Sequence, residues 1–225
     1  MAKLMWDQTG EKYFELGVSK GVLYPYATNA YGKGVAWNGL TQVSENPSGA
    51  EANAIWADNI KYANIISAED FGCTIEAFAY PPEFEACDGS ASLAEGVTIG
   101  QQKRKMFGFS YRTEISSDAE EADETQEAGY KLHLVYGCMA APSSKDRSTI
   151  NGNPDPMTMS WDVSTTPVPV TGHRPTAHLT IDSRRADATK LAALEAILYG
   201  SDSAGSDTGT DPRLPLPDEI KTLMS

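Results

Sequence analysis

Residues 130–139, which read YKLHLVYGCM, decide the fold class of this chain. Large apolar side chains occupy alternate positions, at Leu132, Leu134 and Tyr136, and more polar side chains such as His133 stand between them. Side chains alternate between the two faces of a β-strand, so this spacing is typical of a half-buried strand rather than of a helix. We therefore predict a strand here with one face on the core.

Five further segments have a similar short apolar pattern, and each is bounded by Gly, Pro, Asn or Asp, the residues of turns. These candidate strands are residues 35–43, 73–80, 106–115, 157–163 and 177–181. The helical segments between them are too few for parallel strands joined by helical crossovers. The sequence therefore predicts a mainly β fold, a sandwich or a barrel.

One segment, residues 187–199, has a helical pattern instead. Asp187 can accept hydrogen bonds from the free amides of the first turn, and Gly200 can adopt the left-handed conformation that ends many helices. Three leucines are spaced three and four residues apart, which places them on one stripe. They are Leu191, Leu194 and Leu198. We predict a helix that packs this stripe against the sheet.

The C-terminal region divides into two parts. Residues 201–211 (SDSAGSDTGTD) are small and polar throughout, which is typical of a flexible linker. Pro217, followed by two acidic residues, favours a short helix within residues 212–225. We predict a β domain over residues 1–200, then the linker, then a C-terminal arm that docks either on its own domain or on a neighbouring subunit.

The chain is acidic. Its 225 residues include 18 Lys and Arg against 31 Asp and Glu, a formal net charge of −13. Such a molecule repels phosphate backbones and anionic membranes, which disfavours a nucleic-acid binder held by phosphate contacts. No apolar run approaches the roughly 18 residues that span a bilayer, and the first residues do not resemble a secretory signal. We expect a folded, soluble protein that is made in a cytoplasm and is not inserted in a membrane.

Residues that could carry chemistry do not form a recognisable motif. His133, His173 and His178 lack the spacing of a metal site, and no nucleophile elbow or phosphate-binding loop occurs. Carboxylate pairs such as Glu69 and Asp70 could act as acid and base, but 31 acidic residues produce such pairs by chance. The sequence predicts no catalytic residue, no cofactor and no metal ligand.

The cysteines and tryptophans are candidates for packed positions rather than for chemistry. The cysteines are three in number without CxxC spacing, so we expect reduced thiols packed as small apolar side chains. They are Cys73, Cys87 and Cys138. The tryptophans are candidates for buried anchors of a core or of an interface. They are Trp6, Trp37, Trp56 and Trp161.

Two basic clusters contrast with the acidic background. Lys103, Arg104 and Lys105 come just before a candidate strand, and Arg184 and Arg185 come just before the predicted helix. Charged residues at a strand edge prevent wrong strand pairing, which is one interpretation of the triplet. The other is that both clusters meet acidic surface on a second copy of the chain, where complementary charge sets the register.

A run of acids lies between two candidate strands. Residues 114–127 read EISSDAEEADETQE, with no basic residue to interrupt the mutual repulsion of the carboxylates. We predict an extended, mobile hairpin loop. Its candidate functional acids are Asp118, Glu120, Glu121, Asp123 and Glu124.

Seven collinear segments carry a family resemblance. They are MAKLMWDQTGEKYFELGVSKGVLYP from residue 1, AWNGL from 36, ADNIKYANIISAEDFGCTIEAFAYPPEFEACDG from 57, GVTIGQQKRKMFGFSYRTEI from 96, YKLHLVYGCMAAPSSKD from 130, SWDVSTTPVPV from 160 and LEAILYG from 194. Together they resemble the major tail protein, or tail tube protein, of long-tailed bacteriophages and prophages of Gram-positive bacteria. The resemblance covers nearly the whole chain, and the acidic run and the polar linker depart from it.

The resemblance implies a tail-tube-type β-sandwich or barrel with a packed helix. It implies hexameric rings that stack into the hollow tube of a non-contractile tail in the virion, assembled in the host cytoplasm. The implied partners are further copies of the chain, a tape-measure protein, and tail terminator and baseplate proteins. DNA would pass through the lumen without specific binding, and the fold alone does not separate this tube from those of contractile tails and secretion systems.

Three expectations follow from the ring. Acidic or neutral residues would line the lumen, with the acids of residues 114–127 as candidates, because a wall of lysines would retain DNA. An extended segment within residues 31–66 would contact the adjacent ring. The basic triplet at Lys103 would meet acids across a subunit boundary.

Two functions of other classes compete with the tube. The first is a tail-tip or baseplate β module that binds the host surface, which would remain a small oligomer instead of forming tubes. The second is a β-barrel hydrolase, which would need two carboxylates that converge in a pocket.

Overall fold

A computed structural model describes residues 3–118, 128–150, 152, 155–202 and 209–225. The fold is mainly β, as the sequence predicts, with two α-helices in the described part of the chain. The strands are β1 (Tyr13–Ala27), β2 (Ala30–Tyr31), β3 (Val35–Trp37), β4 (Leu40–Glu45), β5 (Ser48–Gly49), β6 (Ala52–Ala57), β7 (Ile60–Ile66), β8 (Glu69–Asp70), β9 (Gly72–Ala77), β10 (Ala91–Ala94), β11 (Val97–Ile99), β12 (Phe107–Ser117), β13 (Gly129–Ala140), β14 (Met159–Ser164) and β15 (His178–Asp182). The helices are α1 (Ala188–Tyr199) and α2 (Pro217–Met224).

A large antiparallel sheet organises the fold. Its strands follow the order β2, β1, β12, β13, β14, β9, β4, while β15 also pairs with β13 and β3 with β1. β13 changes partner along its length, because it pairs with β15 as far as Val135 and with β14 from Met139. This change at the end of β13 joins two halves of the sheet, which pack on each other. The first half contains β1, β2, β3, β12, β13 and β15, and the second half contains β14, β9 and β4.

β13 is buried on both faces, which corrects the predicted half-buried strand. Leu132, Leu134 and Tyr136 pack with the two helices, as the sequence indicates. Val135, on the opposite face, belongs to a second core with Trp161 from the other half of the sheet. The face predicted to be solvated is therefore covered, because the second half of the sheet packs on it.

The fold has three layers, namely the two halves of the sheet and the pair of helices, and the two cores lie between them. The inner core lies between the halves of the sheet and is rich in aromatic rings; Trp37 packs against Trp161 and Phe109 with ring centroids 5.7 and 5.5 Å apart. The outer core lies between the first half of the sheet and the helices. Its helical members are Leu191, Leu194, Leu198 and Ile220.

Helix α1 confirms the predicted boundaries. The Asp187 carboxylate accepts hydrogen bonds from the backbone amides of Thr189 (2.9 Å) and Lys190 (3.1 Å). Gly200 ends the helix as predicted, but its φ of +81° and ψ of 171° lie outside the left-handed helical conformation that the sequence suggests. The Tyr24 hydroxyl, in β1, donates to the Leu198 carbonyl at 2.9 Å. This bond fixes the last turn of the helix on the sheet.

The three cysteines are free and buried, as predicted. Burial raises the pKa of the Cys73 thiol to about 12 and that of the Cys87 thiol to about 11. These thiols are packing groups, because a thiol with a raised pKa is a poor nucleophile at neutral pH.

Candidate functional site

A hairpin built from β6 and β7 forms a two-stranded sheet of its own. Its turn residues, Asp58 and Asn59, have φ values of +50° and +62°. Positive φ at both central residues belongs to the type I′ turn, which matches the twist of a tight hairpin, and Asp and Asn tolerate it well. The hairpin lies within residues 31–66, where the sequence predicts a segment that contacts the adjacent ring.

The hairpin has unusually apolar exposed side chains. Trp56 is 67% exposed and Tyr62 73% exposed. Four isoleucines of the same two strands are exposed as well: Ile55, Ile60, Ile65 and Ile66. Successive side chains of a strand point to opposite faces, so these residues expose apolar groups on both faces of the hairpin. Exposed apolar side chains in this number mark an interaction site, and an isolated two-stranded hairpin is marginally stable in water. We call these six residues the hairpin patch.

The N-terminal segment has a second exposed apolar surface. Leu4, Met5 and Trp6 are exposed, and so are Tyr13 and Phe14 at the start of β1. Of the four tryptophans, Trp37 and Trp161 are thus core anchors, while Trp6 and Trp56 lie on the surface.

Asp118 fastens the N-terminal segment to the sheet. Its carboxylate accepts hydrogen bonds from the backbone amides of Gly10 (3.0 Å) and Lys12 (3.2 Å), and the Lys12 ammonium lies 3.3 Å away. The other candidate acids of this region lie outside the described residues: Glu120, Glu121, Asp123 and Glu124. Whether any of these acids faces a lumen stays a prediction.

The basic triplet has two exposed members and one structural member. Lys103 and Lys105 are exposed. Arg104 donates to the carbonyl oxygens of Ala140 (3.1 Å) and Ala141 (3.3 Å), and it lies 3.6 Å from the Asp88 carboxylate. Arg104 therefore holds its own loop against the sheet, and the interface role of the triplet stays a prediction that its two lysines can carry.

The second basic cluster lies in the turn between β15 and α1. Arg184 donates from Nε (3.1 Å) and Nη2 (2.8 Å) to the Asp182 carboxylate, and its guanidinium lies 4.7 Å from the centre of the Tyr13 ring. Its neighbour Arg185 is exposed. Arg184 thus has partners within the chain, and the interface role of both arginines stays a prediction.

The C-terminal arm docks on its own domain. Leu214 and Ile220 are buried in the outer core, and the Arg213 amide donates to the Ile197 carbonyl at 2.9 Å. At the ends of the predicted linker, Ser201 and Thr210 exchange two backbone hydrogen bonds of 3.1 Å. The structure therefore decides between the two dockings that the sequence left open.

Sequence analysis missed one polar cluster. Glu45 ends β4, His133 lies in β13 and His178 begins β15, so the three residues are far apart in the chain. Glu45 Oε1 lies 3.4 Å from His133 Nδ1 and 3.6 Å from His178 Nε2, and these two nitrogens are 3.3 Å apart. The only available signal was that two of the three histidines fall in candidate strands, residues 130–139 and 177–181.

The electrostatics of this cluster favour an ionised Glu45 carboxylate. The hydrogen bond with His133 is the main cause that lowers the pKa of Glu45 to about 2, with a further contribution from the Tyr111 hydroxyl. Burial lowers the pKa of His178. Burial, followed by the hydrogen bond to Glu45, raises the pKa of the Tyr111 phenol, so the phenol remains a hydrogen-bond donor.

No known protein family matches the chain, and no curated protein is significantly similar to it in sequence. Neither α1 nor α2, the helices of the described residues, has the length and apolar character of a membrane-spanning helix.

Proposed function

We propose that this chain is the structural subunit of a phage tail tube. Six copies form a ring, and rings stack into the hollow tube through which DNA is delivered to the host. The proposal is supported by the seven collinear segments, and the antiparallel β fold with a packed helix is compatible with it. The proposed role is one in assembly and includes no catalytic step.

The hairpin patch is the observation that carries the proposal. Six large apolar side chains on two short strands are exposed to water in a single copy of the chain. Exposed apolar surface of this extent is typical of a site that is covered by another protein. A closed ring of identical subunits needs one surface that meets a different surface on the next copy. The exposed N-terminal segment, with Leu4 and Trp6, supplies a second apolar surface of comparable character.

The net charge suits a channel for DNA. Six copies of a chain with a net charge of −13 carry −78 per ring. If these acids line the lumen, the wall repels phosphates and DNA passes without being held. The acidic run is the first candidate for the lumen, and tape-measure, terminator and baseplate proteins are the expected heterologous partners.

Electron microscopy of the concentrated, purified protein tests the proposal. A tube subunit should form rings or uniform hollow tubes under negative stain. Trp56→Ser should shorten or abolish the tubes, because it removes the largest ring from the hairpin patch, while Trp56→Phe should retain them. Circular dichroism should show that both variants remain folded.

A monomer or small oligomer at every concentration would contradict the proposal, and it would favour the host-binding module if the same protein bound cells. Tubes that form equally well with Trp56→Ser would remove the hairpin patch from the interface.

A further inference from the structure

Glu45, His133 and His178 bring three potential ligand atoms to one point where the two halves of the sheet meet. Two strands of the first half contribute the histidines, and β4, at the edge of the second half, contributes the carboxylate. His133 is 7% exposed, His178 is partly buried and Glu45 is the most exposed of the three. The group is therefore enclosed on the side of the core and open on the side of Glu45.

The three atoms form a nearly equilateral triangle with edges of 3.3, 3.4 and 3.6 Å. Zinc binds imidazole nitrogen and carboxylate oxygen at about 2.0–2.2 Å, and in a tetrahedron these bond lengths place two ligand atoms about 3.3–3.6 Å apart. We propose that Glu45, His133 and His178 bind one divalent first-row transition metal ion, with Zn²⁺ as the best fit, and leave its fourth position open to water.

Hydrogen bonds behind His133 set its tautomer for this role. Its Nε2 lies 3.0 Å from Thr113 Oγ1, and the Thr113 hydroxyl donates to a Glu15 carboxylate oxygen at 3.3 Å. A hydroxyl has one hydrogen and an ionised carboxylate only accepts, so Nε2 must carry the proton that Thr113 receives. In a neutral ring the lone pair is then on Nδ1, the nitrogen that faces Glu45 and His178, and a metal bound there replaces any proton that Nδ1 shares with Glu45.

A second support orients the carboxylate. The Tyr111 hydroxyl donates to Glu45 Oε1 at 2.7 Å, and the Tyr111 ring stacks on the His133 ring with centroids 4.6 Å apart. The Phe71 ring stacks on His178 at the same separation. Outer hydrogen bonds and ring contacts of this kind hold metal ligands in position.

The three potential ligand atoms face one another at close range. His133 Nδ1 lies 3.4 Å from Glu45 Oε1. His178 Nε2 lies 3.6 Å from the same oxygen, 3.3 Å from His133 Nδ1 and 3.4 Å from the Thr180 hydroxyl oxygen. A bound cation would accept an electron pair from each of the three atoms at once.

Solvent can reach the open side, because the side chain of Glu45 is 37% exposed. His178 also lines, with Phe71, a groove of about 770 Å³ that Glu45 and His133 do not line. Water can therefore complete the shell from the side of Glu45. The inference is independent of the proposed tube, since the three ligand atoms come from one copy of the chain.

Metal binding to the full-length protein, treated first with a chelator, tests this site. Isothermal titration should show one Zn²⁺ per chain, and Co²⁺ should give the intense visible absorption of a tetrahedral nitrogen–oxygen site. Zn²⁺ at one hundred times its Kd should raise Tm by about 5–10 °C.

Variants separate this site from other binding. Glu45→Gln and His178→Gln should each weaken binding about 100-fold or more, and Thr113→Val, which touches no metal, should weaken it about tenfold. His173→Gln is the matched control, because it removes a histidine outside the cluster, and Cys73→Ala removes the thiol paired across from Glu45. Both controls should bind as the wild type does.

Two results would overturn the inference. The first is the absence of one-to-one binding, in which case hydrogen bonds alone would hold Glu45, His133 and His178 together. The second is wild-type affinity in Glu45→Gln and His178→Gln variants whose near-ultraviolet circular dichroism is native.

Discussion

The Tyr136 hydroxyl, in the middle of β13, donates a hydrogen bond of 2.9 Å to the backbone carbonyl of Pro215 in the C-terminal arm. Tyr136 is fully buried, so this bond lies inside the outer core. It connects the arm to the centre of the sheet across 79 residues of sequence. The arm is therefore part of the domain rather than a free tether.

Removing this hydroxyl should loosen the arm. Tyr136→Phe leaves the Pro215 carbonyl buried without that donor, so we expect a loss of about 1–2 kcal/mol in the free energy of unfolding. Urea unfolding measures the loss, and limited proteolysis should cut the variant faster near residues 201–211. Tyr26→Phe, on a more exposed tyrosine of β1, is the control. Equal stability of wild type and Tyr136→Phe would contradict the structural role of the bond.

Asp88 is the centre of a partly buried ionic cluster. Its carboxylate accepts from Trp161 Nε1 (3.1 Å) and Lys145 Nζ (2.5 Å), and its side chain is 8% exposed. Asp88→Ala should lower the free energy of unfolding by about 3–5 kcal/mol, since it leaves a buried indole NH and nearby cations without their acceptor. The exposed pair of Lys33 and Asp211 is the control, and Lys33→Ala should cost less than about 1 kcal/mol. Chemical denaturation of the two variants compares these values directly.

Gly137 occupies a position where β13 bends. Its φ is +60°, and a Cβ atom there would lie 2.2 Å from the Thr166 carbonyl oxygen. Gly137→Ala should lower stability by about 3 kcal/mol or more, because backbone strain and a clash with backbone add together. Gly96→Ala is matched for φ (+75°) but meets no atom within 4 Å, so it should cost only about 1 kcal/mol. Similar losses in both variants would show that the clash is relieved elsewhere.

Acid should weaken the turn before α1. The hydrogen bond from Arg184 is the main cause that lowers the pKa of Asp182 to about 2, below its ordinary value near 3.9. A lowered pKa means that the ion pair contributes stability above pH 4 and that this contribution disappears as the pH falls towards 2. Asp182→Asn should therefore lower Tm at pH 6 and match the wild type near pH 2. The control is Asp202→Asn, which removes one negative charge at an exposed position away from this turn. Parallel profiles for wild type and Asp182→Asn would refute the assignment.

Charge reversal tests the basic triplet without disturbing the fold. Lys103→Glu with Lys105→Glu changes the two exposed members and leaves Arg104 in its contacts with Ala140 and Ala141. If these lysines meet acids on the next copy, tubes seen by negative stain should become short or absent, and less so with Gln at both positions. Tubes of normal length with both glutamates would exclude the lysines from the interface.

Local sequence patterns predicted those helices and strands whose signals all lie within one continuous segment. The capping residue Asp187, the leucine stripe and Gly200 predicted α1 to within one residue, because all of these signals lie within one segment. The alternation around Leu134 likewise predicted β13. The longest strand, β1, was missed: its register shifts twice between Leu16 and Val22, and these irregularities break the period of two on which strand prediction depends.

The sequence by itself determined the fold class, both helices, the buried thiols and the acidic character of the surface, since each depends on composition or on neighbouring residues. Only the tertiary structure decided that both faces of β13 are buried, that the arm docks on its own domain and that Arg104 serves its own loop. It alone brought Glu45 to His133 and His178. The reason is that strand pairing and layer packing join residues that are distant in sequence, and no local periodicity records which strands will meet.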